Sequence, residues 1–409
     1  MVSTEPTDSR KINGELIAKT CRIMRGKDGS WLVPSQSGHG TYVVALRNDK
    51  PSCTCIDFGV HHSRCKHIFA VETFLREEID KEGKRSITKT VKMTYARDWT
   101  SINKAQTKEK ELFQKLLYDL CIDIPNKQYI FGRPTLPLAD MVFASALKVY
   151  STFSLRRFIT DMREAKENGY CDKVCSYSTV SNYMRDKELT PVLVELIQKS
   201  AMPLKSIETD FAVDSSGFGT SRFARWYSFK YGKEINSQVW IKAHLINGVK
   251  THIITSIKIT EKSGGDSTQF EELVSETAKT FEISEVSADK AYSSRDNLNL
   301  VNELGATPYI PFRSNTTGKS HGSGSKLWNK LFYYFLYKHD EFNEHYHKRS
   351  NAETVFHMLK SKFGDSVRSR EWTAQVNEVL LKVLCHNICV LIQEMFELGI
   401  ETTFCLKSE

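Results

Sequence analysis

The chain has 409 residues, 40% of them hydrophobic and 26% charged, with a formal net charge of +8. That length allows two or three domains, the apolar content supports a buried core, and the charge leans towards a polyanionic partner. No apolar run is expected to span a membrane. The polar start Met-Val-Ser-Thr-Glu-Pro lacks the apolar stretch of a signal peptide, and ten cysteines in an unsecreted chain are expected as thiols or metal ligands rather than disulfides.

In chain order, residues 1–80 read as an extended, turn-rich stretch and then a cysteine cluster. Cys53-Thr-Cys55 is followed by Cys65-Lys-His67. Three thiolates and one imidazole complete a tetrahedral zinc site with no position left for water, which points to a structural ion. His61 and His62 lie between the two pairs and are alternative ligands on spacing alone. Cys171 and Cys175, like Cys385 and Cys389, have no second pair nearby and read as buried thiols. Residues 81–110 are polar and Lys-rich, and read as a linker or an exposed surface.

From about residue 111 to 205 the periodicity is helical. Leu155, Phe158, Ile159 and Met162 repeat at i, i+3, i+4 and i+7, with Ser154 placed as a cap and Gly169 shortly past the end. Residues 176–185 begin with capping residues and are a candidate recognition helix, or else an ordinary bundle helix. Residues 207–214 then read as a strand ending at Ser215-Ser216-Gly217. Residues 222–230 mix cations with aromatic rings, as a nucleic-acid surface or a half-buried strand would. Strands at 239–246 and 249–260 flank Asn247-Gly248, a hairpin signal. A helix over 267–281 has Asp266 as its candidate cap. A strand at 283–288 leads into Asp289, and after another helix comes a short strand near 307–310. Pro308 and Pro311 assign that last strand to an edge. The order predicts a mixed α/β sheet with helices on its faces.

Residues 346–360 contain no Gly or Pro and suit a helix. At about 100° per residue, Tyr346, Arg349, Glu353 and Lys360 fall in a stripe about 60° wide. Such a face suits a metal-binding acid beside groups that grip phosphate, although an Arg–Glu pair four apart also suits a surface salt bridge. Asp214 and Asp289 stand at predicted strand ends, where open α/β sheets bind ligands. Three carboxylates meeting there would hold two divalent cations for phosphoryl transfer, and Mg²⁺ suits oxygen ligands. Asp210 shares a strand face with Asp214, which is preferred because it lies where the strand is expected to stop. A turn or capping role is the plain alternative for either aspartate.

Asp214 in Val-Asp-Ser-Ser-Gly, Asp289 in Ser-Ala-Asp-Lys-Ala-Tyr and the Tyr346-Arg349-Glu353-Lys360 stripe together resemble a DDE transposase of prokaryotic insertion sequences, in the group with the Y-R-E-K signature. The resemblance covers about residues 130–400. It implies an RNase H-like catalytic domain and cut-and-paste DNA movement. It implies a catalytic and metal-binding triad of Asp214, Asp289 and Glu353 holding two Mg²⁺ (or Mn²⁺), and DNA contacts from Tyr346, Arg349 and Lys360. Some relatives carry a large β insertion before the Glu helix; here only about 312–340 is available, so none is expected. Trp328 lies in that gap and is either a stacking platform for a flipped base or core packing. The cysteine cluster resembles a SWIM-type zinc finger, whose pattern points to Cys53, Cys55, Cys65 and His67 around one structural Zn²⁺.

The expected organisation is a SWIM-type module at 1–80, a linker at 81–110, a helical DNA-binding region at 111–205 and the RNase H-like α/β domain at 206–409. The expected partners are transposon ends and target DNA, with a homodimer forming on bound ends, no membrane, and a cytoplasmic, nucleoid-associated setting in a prokaryote. A non-catalytic DNA-binding protein derived from a transposon and a plain nuclease on the same fold are the alternatives.

Overall fold

The chain divides into two units, Met1–Val91 and Lys92–Glu409. The computed structural model describes residues 9–21, 23–26, 30–35, 41–47, 50–61, 64–74, 76–79, 85–88, 98–126, 136–220, 240–318, 322, 325–402 and 404.

The first unit begins with helix α1 (Ser9–Thr20). Strands β1 (Met24–Arg25), β2 (Trp31–Pro34), β3 (Thr41–Arg47) and β4 (Lys50–Cys53) then form an antiparallel sheet in sequence order. Helices α2 (Ile56–His61) and α3 (Lys66–Phe74) follow, and β5 (Arg76–Ile79) pairs with β6 (Arg85–Thr88). Trp31 and Val33 alternate inward from β2, as one buried sheet face requires, and meet Ile17, Val44, Ile68 and Val71. Cys53, Cys55 and Cys65 belong to this same small core. Helices α1 and α3 approach so closely at Gly14 that a Cβ there would lie 2.5 Å from Cβ of Phe69.

The second unit opens with α4 (Trp99–Thr107) and α5 (Glu109–Cys121). Helix α4 falls inside the stretch expected as a linker. Asp98 caps it by accepting from the N–H of Thr100 and Ser101, and Ile102 and Ala105 are buried. Helices α6 (Leu138–Ser151), α7 (Ile159–Glu167), α8 (Tyr177–Met184) and α9 (Leu189–Ala201) complete the helical region. Phe158 and Met162 are buried as their spacing predicts, but the helix starts at Ile159, after a turn rather than from Ser154. Ser176 does cap α8, accepting from the N–H of Thr179 at 3.2 Å.

A five-stranded sheet follows: β7 (Asp210–Gly219), β8 (Trp240–Gly248), β9 (Ile254–Glu261), β10 (Glu285–Ala288) and β11 (Thr307–Tyr309), in spatial order β11-β10-β7-β8-β9. The pairs β7–β8 and β8–β9 are antiparallel; β10 runs parallel to both β7 and β11. Strand β11 lies at the edge, where Pro308 is tolerated. Helices α10 (Ser267–Ala278), α11 (Arg295–Glu303), α12 (Ser325–Tyr337), α13 (His339–Tyr346), α14 (Ser350–Phe363) and α15 (Trp372–Glu397) complete the unit. The result is a mixed, RNase H-like α/β sheet. The helices of 111–205 are not a core of their own: their buried residues run continuously into those of the sheet and of α15.

Several expectations are corrected here. Strand β7 does not stop at Asp214 but continues to Gly219, paired throughout with β8. Asn247-Gly248 is not a two-residue turn: Asn247 is a buried strand residue at a bulge, and residues 249–253 connect β8 to β9. Gly248 is required because buried Glu208 packs against it, so a Cβ would fall 2.3 Å from Cδ of Glu208. That carboxylate accepts from the N–H and hydroxyl of Thr251 at 2.5 and 2.7 Å and from the N–H of Lys250 at 3.2 Å, holding the connection in place. Helix α15 is long and apolar enough to cross a membrane by length and composition alone, a test that the core helix of a folded domain also passes. Most of it is buried in this core, where its polar residues are paired: Lys382 Nζ donates to the carbonyls of Gly364 and Ser366 at 2.9 and 2.8 Å.

Candidate active site

The sheet register brings the first two acids together. Strand β10 pairs with β7 up to Ala288 opposite Val213, so the next residues, Asp289 and Asp214, are neighbours. The carboxylates lie where the parallel pairing stops, although β7 itself goes on. Asp214 Oδ1 accepts from the N–H of Ser215 at 2.8 Å, and Asp289 Oδ1 from that of Lys290 at 2.6 Å, where the chain leaves the strand as a 3₁₀ turn.

Tyr346, Arg349, Glu353 and Lys360 do not lie on one continuous helix. Tyr346 ends α13, His347–Arg349 form a 3₁₀ turn, and α14 begins at Ser350. The tighter turn still brings Arg349 beside Glu353: its guanidinium bridges Glu353 and Asp214 Oδ2, the latter at 3.2 Å. Burial pushes the Asp214 carboxyl up; the Ser215 N–H and Arg349 oppose this, while the charges of Glu353 and Asp289 add to it. Burial also raises the Tyr346 phenol, and Arg349, Asp289 and Glu353 all act on it. These five side chains therefore share one electrostatic site. Lys360 stands further along β7, donating to Ser216 Oγ at 2.6 Å, with Ser216 on the same strand face as Asp214. The site opens on one side: the Glu353 side chain is 59% exposed, that of Asp214 only 20%.

The donor set suits a hard divalent cation. It is all oxygen, and two of its carboxylates, Asp214 and Glu353, already flank a cationic guanidinium. Asp210, the competitor on the same strand face, is committed elsewhere. Lys348 Nζ bridges Asp210 and its register partner Glu285, at 2.6 Å to each, and His345 Nδ1 lies 2.8 Å from Glu285. That network ties the turn carrying Arg349 to the start of both strands.

Sequence reasoning missed Lys348, because Asp210 and Glu285 become neighbours only through the register. It also misassigned Asp266, which caps nothing by side chain. Its Oδ1 accepts from Lys242 Nζ and Ser215 Oγ, both at 2.7 Å, with His244 Nδ1 at 3.3 Å. Burial works against the charge, but Lys242 and Ser215 hold the carboxyl below its usual range. Asp266 thus anchors the residue next to Asp214. Trp328 is core packing, edge-on to Phe312 at 4.9 Å. Residues 222–230 lie outside the described residues.

In the first unit, the ligand atoms of Cys53, Cys55, Cys65 and His67 lie within 4.8 Å of one another, and all four residues are buried. His67 Nδ1 is 3.9 Å from both Cys53 Sγ and Cys65 Sγ. A tetrahedron with Zn–S near 2.3 Å and Zn–N near 2.0 Å has edges of about 3.5–3.8 Å, so the cluster fits zinc. The Tyr42 ring packs on the imidazole at 4.4 Å. His62 and the side chain of His61 lie outside the described residues. Cys171, Cys175, Cys385 and Cys389 are buried free thiols.

Residues 205–388 match the family model of the transposase DDE domain, and residues 42–75 that of the SWIM zinc finger. No solved structure matches the chain. The parallel-strand acids and the three-cysteine, one-histidine cluster fall within these two matches, and the chain accordingly carries a transposase DDE domain preceded by a SWIM zinc finger.

Proposed function

We propose that the protein is a cut-and-paste transposase of a prokaryotic insertion sequence, acting at the nucleoid, with Asp214, Asp289 and Glu353 as its catalytic acids. The observation that carries this reading is the register that makes Asp289 and Asp214 neighbours, with Glu353 joined to Asp214 through Arg349. The three carboxylates would hold Mg²⁺ or Mn²⁺, two ions per site, which when bound activate the attacking oxygen and stabilise the leaving one.

The chain's own residues position the DNA. Tyr346 keeps its proton, because burial raises its phenol, and it donates to a phosphate oxygen. Arg349 and Lys360 are cations beside the acids and neutralise phosphate charge. Water attacks phosphorus at each element end, the 3′ oxygen departs as a hydroxyl, and that hydroxyl then attacks a target phosphate, displacing its 3′ oxygen. No covalent enzyme intermediate is required, so no Ser or Tyr nucleophile is assigned. Cys53, Cys55, Cys65 and His67 hold one structural Zn²⁺, and two copies of the chain pair the ends.

The test is an assay with element-end DNA, Mg²⁺ and a target plasmid. Wild type should cut the ends and join them to the plasmid, and Glu353→Gln should do neither while still binding DNA. Cutting without joining would leave a plain nuclease. Binding with no metal-dependent cutting by wild type would leave a non-catalytic DNA-binding protein.

A further inference from the structure

Away from the acids, the second unit holds a cleft of about 710 Å³. Its walls come from the end of α6 and the turn after it, from α8, and from the segment joining α14 to α15. Five cations line it, Lys148, Arg157, Arg185, Arg368 and Arg370, against one lining carboxylate, Glu378, while Glu371 beside it pairs with Arg185 Nε at 3.5 Å. The Glu378 carboxylate is directed at the backbone: it accepts from the N–H of Arg368 at 2.9 and 3.0 Å and of Ser369 at 2.8 Å. It therefore fixes the segment carrying Arg368 and Arg370 on α15, and Gln375 Nε2 adds bonds to the carbonyls of Ser369 and Arg370, both at 3.2 Å. Arg368 Nη1 reaches across to the carbonyl of Phe153 at 2.8 Å and ties the two walls together.

The opposite wall is strained. Thr152 ends α6 at φ 56°, ψ 0°, a left-handed conformation that a β-branched residue rarely adopts. Such strain persists where surrounding structure enforces it, and it is concentrated at ligand clamps. Here it turns the chain so that the next residue, Phe153, stands 47% exposed on the rim among the arginines. The guanidinium groups are the chemistry that meets a sugar–phosphate backbone, and the exposed ring adds an apolar surface to the rim. Beneath the cleft, burial pulls Lys382 down to about 8, with Lys148 and Arg368 adding to the effect.

The cleft adjoins the end of the strand that carries Asp214. Strand β7 runs from Asp214 to Gly219, about 17 Å at strand rise, or roughly five nucleotide steps of duplex. At its end the N–H of Gly219 donates to the carbonyl of Asp365 at 3.0 Å, and that of Val367 to the carbonyl of Gly219 at 2.9 Å, one residue before Arg368.

We propose that the cleft lined by Arg157, Arg185, Arg368 and Arg370 is a second binding site, for the phosphate backbone of duplex DNA several base pairs from the bond cut at Asp214, Asp289 and Glu353. The position of that bond rests on the transposase reading; the cleft's affinity for duplex does not. Arg157 and Arg370 grip phosphates as exposed guanidinium groups, and Phe153 packs on the backbone between them. The candidate recognition helix α8 contributes Ser181, and Arg185 just past its end, to the same wall.

The experiment is a set of salt titrations of duplex binding by the full chain without divalent metal, using an element-end duplex and an unrelated duplex. The variant Arg157→Gln/Arg370→Gln should lower the magnitude of the log–log salt slope by about 1.8, two phosphate contacts at about 0.9 each. Lys205→Gln/Lys279→Gln makes the same charge change outside the cleft and should leave the slope as in wild type. A loss confined to the element-end duplex assigns the cleft to element ends, and a loss on both duplexes assigns it to duplex in general. An unchanged slope in the arginine variant, or an equal loss in the lysine control, overturns the proposal. Wild type that binds with this slope but never cuts with Mg²⁺ would sink the transposase reading and leave the cleft standing.

Discussion

The two candidate metal sites of this protein are built in opposite ways. The Cys–His cluster is assembled from residues 53–67, inside a small core to which its own cysteines belong. Its ligands are soft, closed to water and buried. The acidic site draws on residues 214, 289 and 353, opens to solvent at Glu353, and sits on a sheet whose core needs none of its carboxylates. On the proposed function, the contrast would make one metal part of a fold and the other part of a reaction. Removing the first should cost structure, and removing the second should cost only chemistry.

The largest expected effect follows from that. Cys55→Ser should abolish zinc binding and unfold the first unit, because structural zinc in finger peptides contributes on the order of 10 kcal/mol of folding free energy. Metal analysis and limited proteolysis would read it: zinc near one per chain in wild type, little in the variant, and cleavage confined to residues 1–91. A zinc content unchanged by the substitution would break the comparison at its first term.

Asp214→Asn and Asp289→Asn should each reduce Mg²⁺-dependent cleavage by at least about 10³-fold, equivalent to about 4 kcal/mol of transition-state stabilisation, with the thermal midpoint of the second unit almost unmoved. If either variant unfolded that unit, the acids would be structural and the contrast would fail.

The second unit should instead be sensitive to acid through its core. His386 on α15 is buried and its Nε2 donates to the carbonyl of His252 at 3.0 Å. Burial lowers it to about 4, with His252 and Lys362 adding some repulsion. Its folded value lies below its unfolded value of about 6.5, so the folded state binds fewer protons. Stability is complete above pH 6.5 and is lost as pH falls towards 4, by about 3 kcal/mol in all. Denaturant titrations of wild type and His386→Gln across that window should show a flatter pH dependence in the variant. Equal slopes would remove His386 as the cause.

The smallest effect concerns Asp210. Asp210→Asn leaves Lys348 its bond to Glu285, so cleavage should stay within a few-fold of wild type and stability should fall by about 2 kcal/mol, as for one charged hydrogen bond. A loss of cutting as deep as that of Asp214→Asn would mean that Asp210 belongs to the reaction.

What the sequence by itself determined was local. The Cys53–His67 spacing specifies ligands that fourteen residues of chain can bring together whatever surrounds them. The capping hydroxyl of Ser176 and the Pro308 edge strand follow from chemistry within a few residues. The order of strands and helices already implied the sheet, and the resemblance pointed to three acids for it. Only the tertiary structure decided how those acids meet. Asp214 stands in the middle of β7, not at its end, and it faces Asp289 because β10 stops one residue short of it. The bridge from Lys348 to Asp210 and Glu285 depends on the same register, and the use of Asp266 to hold Ser215 rather than a helix end depends on how the connection after β9 packs against β7. Strand period specifies which face a side chain takes. It says nothing of which residue on another strand lies beside it, because register is set by the burial of whole faces and by pairing between segments distant in sequence.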